Sequence, residues 1–374
     1  MISSRLFAMF LALSLLFGPT FSTFAQTTQA TVVSKPPIDL AADTIADLAA
    51  KDWLAGKLHG SMEETMKAGA KSGDAQLEAL RKLLLFSQPE KRTQVAFELR
   101  ELFAANATQR LYKYPISVDG EDATLSVRLE KIGGVWQIRS ARESPNVTLI
   151  PGEVFTPVGA WIFVALTALL AWAVVTPTIW RTWIRESLII TRANIGVYLG
   201  TNIVLYGLFV IGAIAGFSQP KFVELFQEFA AGALSQGGLE KLATNGVASG
   251  AFGITLNNLR AGVAIAFISG FLFAVPAYIM FFAQTIFYGF VLSPVGLSGN
   301  SFLLHIPTII IEFAAYFYVV AASGIMLARI INRIPYAMAV RDYVKCLPVA
   351  VTVLVIAAWY ESFEVLVLIP MLSK

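Results

Sequence analysis

A polytopic α-helical membrane bundle of about six segments, preceded by a small exported α+β domain, is the fold class this sequence predicts. Three observations carry it. Charged residues make up only 14 % of the chain and apolar residues 56 %, whereas soluble domains carry ~25 % charge. The charges are unevenly placed: of the 53 charged side chains, 28 basic and 25 acidic, 33 lie between Gln26 and Val154. Finally, the stretch from Asn257 to Arg329 is almost unbroken apolar sequence with one embedded carboxylate, Glu312. A helix needs roughly 20 apolar residues to cross the hydrocarbon, so this stretch is long enough for three crossings.

The elements follow in order. Residues 1–25 have a basic start at Arg5, an apolar run from Leu6 to Phe17, the breaker Gly18-Pro19, and small residues at Thr23 and Ala25. This pattern predicts a signal peptide cleaved after Ala25. Residues 26–38 read as a flexible leader. The exported domain is expected over 39–145. Its first part, to Asn106, reads as helical, from Leu77, Leu80, Leu84 and Leu85 and, beyond Pro89, from Val95, Phe97, Leu99 and Leu102. The period then becomes two, and strands are expected at Tyr112 to Val118, Ala123 to Leu129 and Val135 to Ile138. Asp119-Gly120 and Gly133-Gly134 stand where tight turns belong. The last of these strands resembles the closing strand of nuclear-transport-factor-like cone domains.

After a linker at 146–157, membrane segments are expected at about 158–179, 193–217, 258–276, 277–296, 301–328 and 346–370. A surface helix at about 220–232 is expected from Phe222, Leu225, Phe226 and Phe229, which share one helical face. Arg260 to Val295 would measure about 54 Å as a single helix, too long for one crossing, so a hairpin near Pro276 is expected, either spanning or re-entering. Two short basic stretches, 181–192 and 329–345, belong on the cytoplasmic side. With the export signal, this places the N-terminal domain and the C-terminus on the periplasmic face of a bacterial plasma membrane.

A charged group inside hydrocarbon costs at least ~2.5 kcal/mol and marks a candidate functional site. Glu312 is such a group, and Asn257, Asn258, Arg260 and Thr308 are the polar residues expected to form a cluster with it. Asn257, Asn258 and Arg260 are expected at the outer mouth of the hairpin. Glu312 is expected either to pin the hairpin or line a path for a solute or proton, or to lock helix packing, held by a neighbouring hydroxyl of Tyr316, Tyr318 or Thr308 or protonated. His305 reads as an interfacial histidine, and Glu361 and Glu364 as the point where the last segment leaves the lipid.

The chemistry the sequence excludes is broad. One cysteine, Cys346, and two histidines, His59 and His305, leave no disulfide and no multi-cysteine metal site. A net charge of +3 without a Lys/Arg run gives no nucleic-acid footprint. Hydrolase, metalloprotease and phosphate-loop motifs are missing from the sequence. No catalysis and no cofactor are therefore expected.

Asn257-Asn258-Leu259-Arg260, Gly270, Ala274 to Phe281, Gly289, Glu312-Phe-Ala-Ala and Gly324 resemble the stage II sporulation protein M family of membrane proteins, over roughly 185–370. The chain departs from the family pattern in two places: Thr308 stands where a histidine is frequent, and Gln284 where Asn-Gly is frequent. The resemblance implies a non-catalytic scaffold of a cell-envelope assembly, with the bilayer and envelope proteins, or a second copy, as partners. A permease or channel subunit using Glu312, and an exported ligand sensor coupled to the bundle, are the alternatives.

Overall fold

The computed structural model describes residues 94–95, 101–105, 109–118, 121–132, 135–145, 152–223, 225–226, 246–294 and 299–372. The signal peptide, the leader and the helices expected before residue 94 lie outside them. The chain divides into two compact units, with the boundary between Leu149 and Ile150.

The first unit contains an antiparallel sheet of β1 (Gln94–Val95), β2 (Glu101–Ala105), β3 (Gln109–Val118), β4 (Glu121–Ile132) and β5 (Val135–Pro145). Its order is β1-β3-β4-β5, with β2 also paired to β3. The long hairpins are in the register that two-residue turns impose, since Val118 pairs with Glu121 and Ile132 with Val135. Alternation along the strands buries Tyr112 and Tyr114 opposite Val127 and Leu125. Val95 and Leu102, expected in a helix, are in strands. The physical reason lies in the sequence itself: Val95, Phe97 and Leu99 alternate with Ala96, Glu98 and Arg100, which is a strand period.

The second unit is a helical bundle. Its helices are α1 (Pro157–Val175), α2 (Ile179–Ala193) and α3 (Ile195–Phe217). Then come α4 (Val247–Asn258), which continues through a π-helical turn at Leu259–Ala264 into α5 (Ile265–Gly270), and α6 (Val275–Val291). The last are α7 (Gly299–Ile331), α8 (Tyr336–Val344) and α9 (Leu347–Phe363), which passes through a second π-helical turn at Glu364–Leu368 into α10 (Ile369–Leu372). Among the described residues, five stretches are long and apolar enough to cross a membrane: Pro157–Val175, Ile195–Phe217, Val247–Gly270, Phe302–Ile331 and Tyr336–Leu368. The shorter apolar α6 runs beside them.

Contacts give each helix a direction. Starting at one end of the bundle, here called upper, Ser362 donates to the Val247 carbonyl at 2.7 Å and the Phe163 and Phe252 rings stack at 5.1 Å. At the lower end, Tyr336 reaches the Phe271 carbonyl, and the Phe267 and Tyr343 rings stack at 5.0 Å. The α4–α5 helix therefore runs the full depth of the bundle, and α6 returns, with its Tyr278 low and its Phe290 high. The turn between them, Phe271 to Ala274, places Phe273 and Ala274 at φ 55° and 65°. Such left-handed conformations in non-glycine residues are uncommon; Pro276 then fixes the start of α6.

Several expected boundaries move. The segment expected at 158–179 ends at Val175, because Thr176-Pro177-Thr178 breaks the helix and the Thr178 hydroxyl caps the next one by accepting from the Arg181 N–H. The basic stretches 181–192 and 329–345 are not loops. They hold the amphipathic helices α2 and α8, whose charges Glu186, Asp342 and Lys345 meet: Lys345 lies 2.8 Å from Glu186 and 2.7 Å from Asp342, which also pairs with Arg329 at 2.8 Å. The helix expected from 258 begins at Val247. Its Ser249, Gly250 and Gly253 are buried, so these small residues form a packing face. Of the surface helix at 220–232, residues 220–223 and 225–226 are helical, and the rest lies outside the described residues.

Close backbone contact explains the glycines. A Cβ on Gly212 would fall on the Ile286 carbonyl, and one on Gly289 on the Phe209 carbonyl, so α3 and α6 touch backbone to backbone. At Gly270 and Gly324 the obstruction would be the hydroxyls of Tyr343 and Tyr278. Gly196 and Gly200 have nothing within 4 Å of that position. Gly212→Ala and Gly289→Ala are each expected to lower stability by about 1–3 kcal/mol through overpacking. Gly200→Ala is expected to leave it unchanged or raise it by up to about 1 kcal/mol, the helix preference of alanine. Thermal unfolding in detergent measures both.

Candidate functional site

Four polar residues of α7, His305, Thr308, Glu312 and Tyr316, stand at spacings of three and four that put them on one face of the helix. All four are buried, His305, Thr308 and Glu312 completely. They face α9 and the turn that follows it, which brings Glu361 (1 % exposed) and Glu364 (0 %) into the same interior.

In the upper part, Glu364 is held from two sides. Its Oε1 lies 2.8 Å from His305 Nδ1, and its Oε2 accepts from the Thr308 hydroxyl. The neighbouring Tyr360 hydroxyl donates to the Leu304 carbonyl at 3.2 Å. These contacts tie the end of α9 to the start of α7. Deeper down, Glu312 Oε1 accepts from the Tyr316 hydroxyl, one turn further along α7, while Glu312 Oε2 is buried without a hydrogen-bond partner among the described residues. The Tyr316 ring lies directly against Gly262, where a Cβ would collide with it. Gly262 belongs to the π-helical turn Leu259–Ala264. Both π-turns of the bundle therefore border this interior, one under Tyr316 and the other carrying Glu364. Such widened turns are frequent at functional sites.

The sequence expectations fare unevenly against this geometry. Tyr316 is the hydroxyl that holds Glu312. Thr308 instead serves Glu364, and Tyr318 bonds Ser187 and Thr191 of α2 at 2.9 and 3.0 Å. Asn257, Asn258 and Arg260 are not at an outer mouth. With the helix starting at Val247 they stand roughly 15 Å along it, at the approach to the π-turn. Asn258 is buried and its Oδ1 accepts from Asn257 Nδ2 at 3.1 Å; Arg260 is exposed. Neither pairs with Glu312.

His305, Glu361 and Glu364 were placed at the surface from sequence and are interior. The apolar run Val365 to Ile369 that follows Glu364 is the signal that the segment has not yet left the bundle. No group of three His, Cys, Asp or Glu with metal-holding geometry occurs among the described residues.

Compared with family models, with curated proteins and with solved structures, the chain has no match. The class of protein follows from the fold alone: a helical membrane bundle with a buried carboxylate interior.

Truncating Glu312 to leucine strands the Tyr316 hydroxyl inside the bundle. Glu312→Leu should cost about 1–3 kcal/mol, the desolvation penalty of a buried unpaired donor. Glu312→Gln, which keeps an acceptor for Tyr316, should stay within about 1 kcal/mol of wild type. Unfolding of the purified variants in detergent separates the two.

Proposed function

We propose that this chain is a non-catalytic membrane scaffold of a bacterial cell envelope, holding an exported domain at the plasma membrane and recruiting envelope proteins to it. The observation that carries the reading is the arrangement of the bundle's ends. Pro157 and Leu372 lie toward the upper end, with the Val247 and Ser362 contact, while the basic helices α2 and α8 lie at the lower end. The positive-inside rule then puts the lower end in the cytoplasm and makes the upper end periplasmic. The sheet-bearing unit thus precedes, in sequence, a segment entering from the periplasmic side. All six apolar helices cross in this reading, α6 included, and the α5–α6 hairpin spans instead of re-entering.

Tight glycine-mediated packing of α3 on α6 supports a rigid anchor. The resemblance to stage II sporulation protein M supports the class of partner, envelope proteins that act on the wall, without bringing sporulation with it.

Two experiments test this. Cys346 is buried, so in a Cys346→Ala background single cysteines can be placed at Gln219 and Arg333. An impermeant maleimide is expected to label position 219 in intact cells and position 333 only after permeabilisation; the reverse pattern inverts the topology. Crosslinking in cells followed by purification should recover envelope proteins with the full chain, and lose them when residues 39–145 are deleted. Recovery of the bare chain alone would remove the scaffold reading.

A further inference from the structure

We infer that the interior formed by His305, Glu364, Thr308, Glu312 and Tyr316 is a proton-binding site reached from the upper end of the bundle, with Glu312 Oε2 as the atom that takes the proton. The inference goes beyond anchoring: it gives the bundle a ligand of its own.

The geometry assigns the roles. His305 to Tyr316 spans eleven residues of α7, about 16 Å of helix. The polar face begins near the upper end and stops partway down. Below Tyr316, Val319, Val320 and Ala321 are completely buried, and the next polar residue on this face, Ser323, is buried and donates its hydroxyl to the Val320 carbonyl, so the titratable ladder ends at Tyr316. Every rung carries an exchangeable proton or accepts one: the imidazole of His305, the Glu364 carboxyl that it and Thr308 hold, then Glu312 and the Tyr316 hydroxyl.

At the bottom, Glu312 uses one oxygen to accept from Tyr316 and buries the other without a hydrogen-bond partner among the described residues. An ionised carboxylate in that position is costly, and an unpaired oxygen is where a proton or cation adds. A buried carboxylate without a paired charge is neutralised by taking up a proton. On uptake it adds to Oε2 and turns the carboxylate into a carboxylic acid, with the Tyr316 hydroxyl retaining its own proton. No other bond changes.

Other ionisable groups face the same interior and set its charge. Glu361 and Tyr360 come from α9 and Tyr288 from α6, while Arg260, at the π-turn of the α4–α5 helix, is exposed. Tyr316 is the point at which these elements meet, with Glu361 and Tyr288 close enough to act on it electrostatically. The glycine beneath it, Gly262, keeps the ring seated. Protonation of Glu312 therefore alters the charge at the junction of α7, α9 and the π-turn.

The test is infrared difference spectroscopy of the full chain in liposomes, titrated from neutral to mildly acidic pH. Wild type is expected to gain a protonated-carboxyl carbonyl band on acidification, and Glu312→Gln to lose one component of it. Tyr316→Phe keeps every carboxyl and removes one donor, so it is expected to shift that component in frequency and guards against a Gln variant that fails to fold. Glu364→Gln should remove a different component. A Glu312→Gln spectrum identical to wild type throughout the titration, a Glu312 band already present at every pH, or a Tyr316→Phe spectrum unchanged from wild type would each overturn the inference.

Discussion

Carboxyl groups placed inside an apolar helical bundle constrain everything around them. Each must find hydrogen-bond donors within the protein, because lipid offers none. In this chain Glu364 and Glu312 meet that requirement through α7, whose face carries His305, Thr308 and Tyr316 at helical spacing. The requirement fixes the rotation of α7 about its axis, since only one face presents those donors. It also fixes the height of α9, since Glu364 must stand level with His305 and Thr308. The π-turns are part of the same solution. One brings Gly262 beneath the Tyr316 ring and the other begins at Glu364. A regular helix at either place would rotate the residues that follow by a different amount.

The remainder of the bundle is held by close approach. Between α3 and α6, Gly212, Gly216 and Gly289 remove the side chains that would otherwise keep the backbones apart, which allows dispersion contacts to accumulate without a hydrophobic driving force. Aromatic edges complete the seam: Tyr206 meets Phe317 and Phe209 meets Phe313 at right-angled geometry, with centroids 4.9 and 5.5 Å apart. At the lower end, α2 lays Ser187 and Thr191 on Tyr318, and Lys345 bridges Glu186 and Asp342. The polar interior and this charged lower end are separated by apolar layers, so the molecule keeps its ionisable groups in two places with different surroundings.

Much of this was legible in the residues. The lengths of the apolar runs located the membrane-sized helices, the breaker pairs located the strand turns, and Tyr316 was named as a holder of Glu312. The misreadings have specific causes. Val95 and Leu102 were read as helical and stand in strands, although the sequence around Val95 has a period of two. The helix that begins at Val247 was expected only from 258, because small residues that pack helices, such as Gly250 and Gly253, and small residues that break them look alike until a neighbour is known. Glu361 and Glu364 were read as an exit from lipid, because a charge near the end of a segment normally marks one. For Glu364, only its partner His305, which lies 59 positions away, places it inside.

By itself, the sequence determined that this protein has a charged front part and an apolar back part, that the back part forms membrane-length helices, and that Glu312 must be accommodated among them. These are consequences of composition and period, which act along the chain. Tertiary structure decided which helices are neighbours, where the α4–α5 helix begins, that the hairpin runs the full depth, and that three glutamates and a histidine share one interior. Those outcomes depend on which side chains meet across space, and hydrogen bonds between residues dozens of positions apart leave no mark on local pattern.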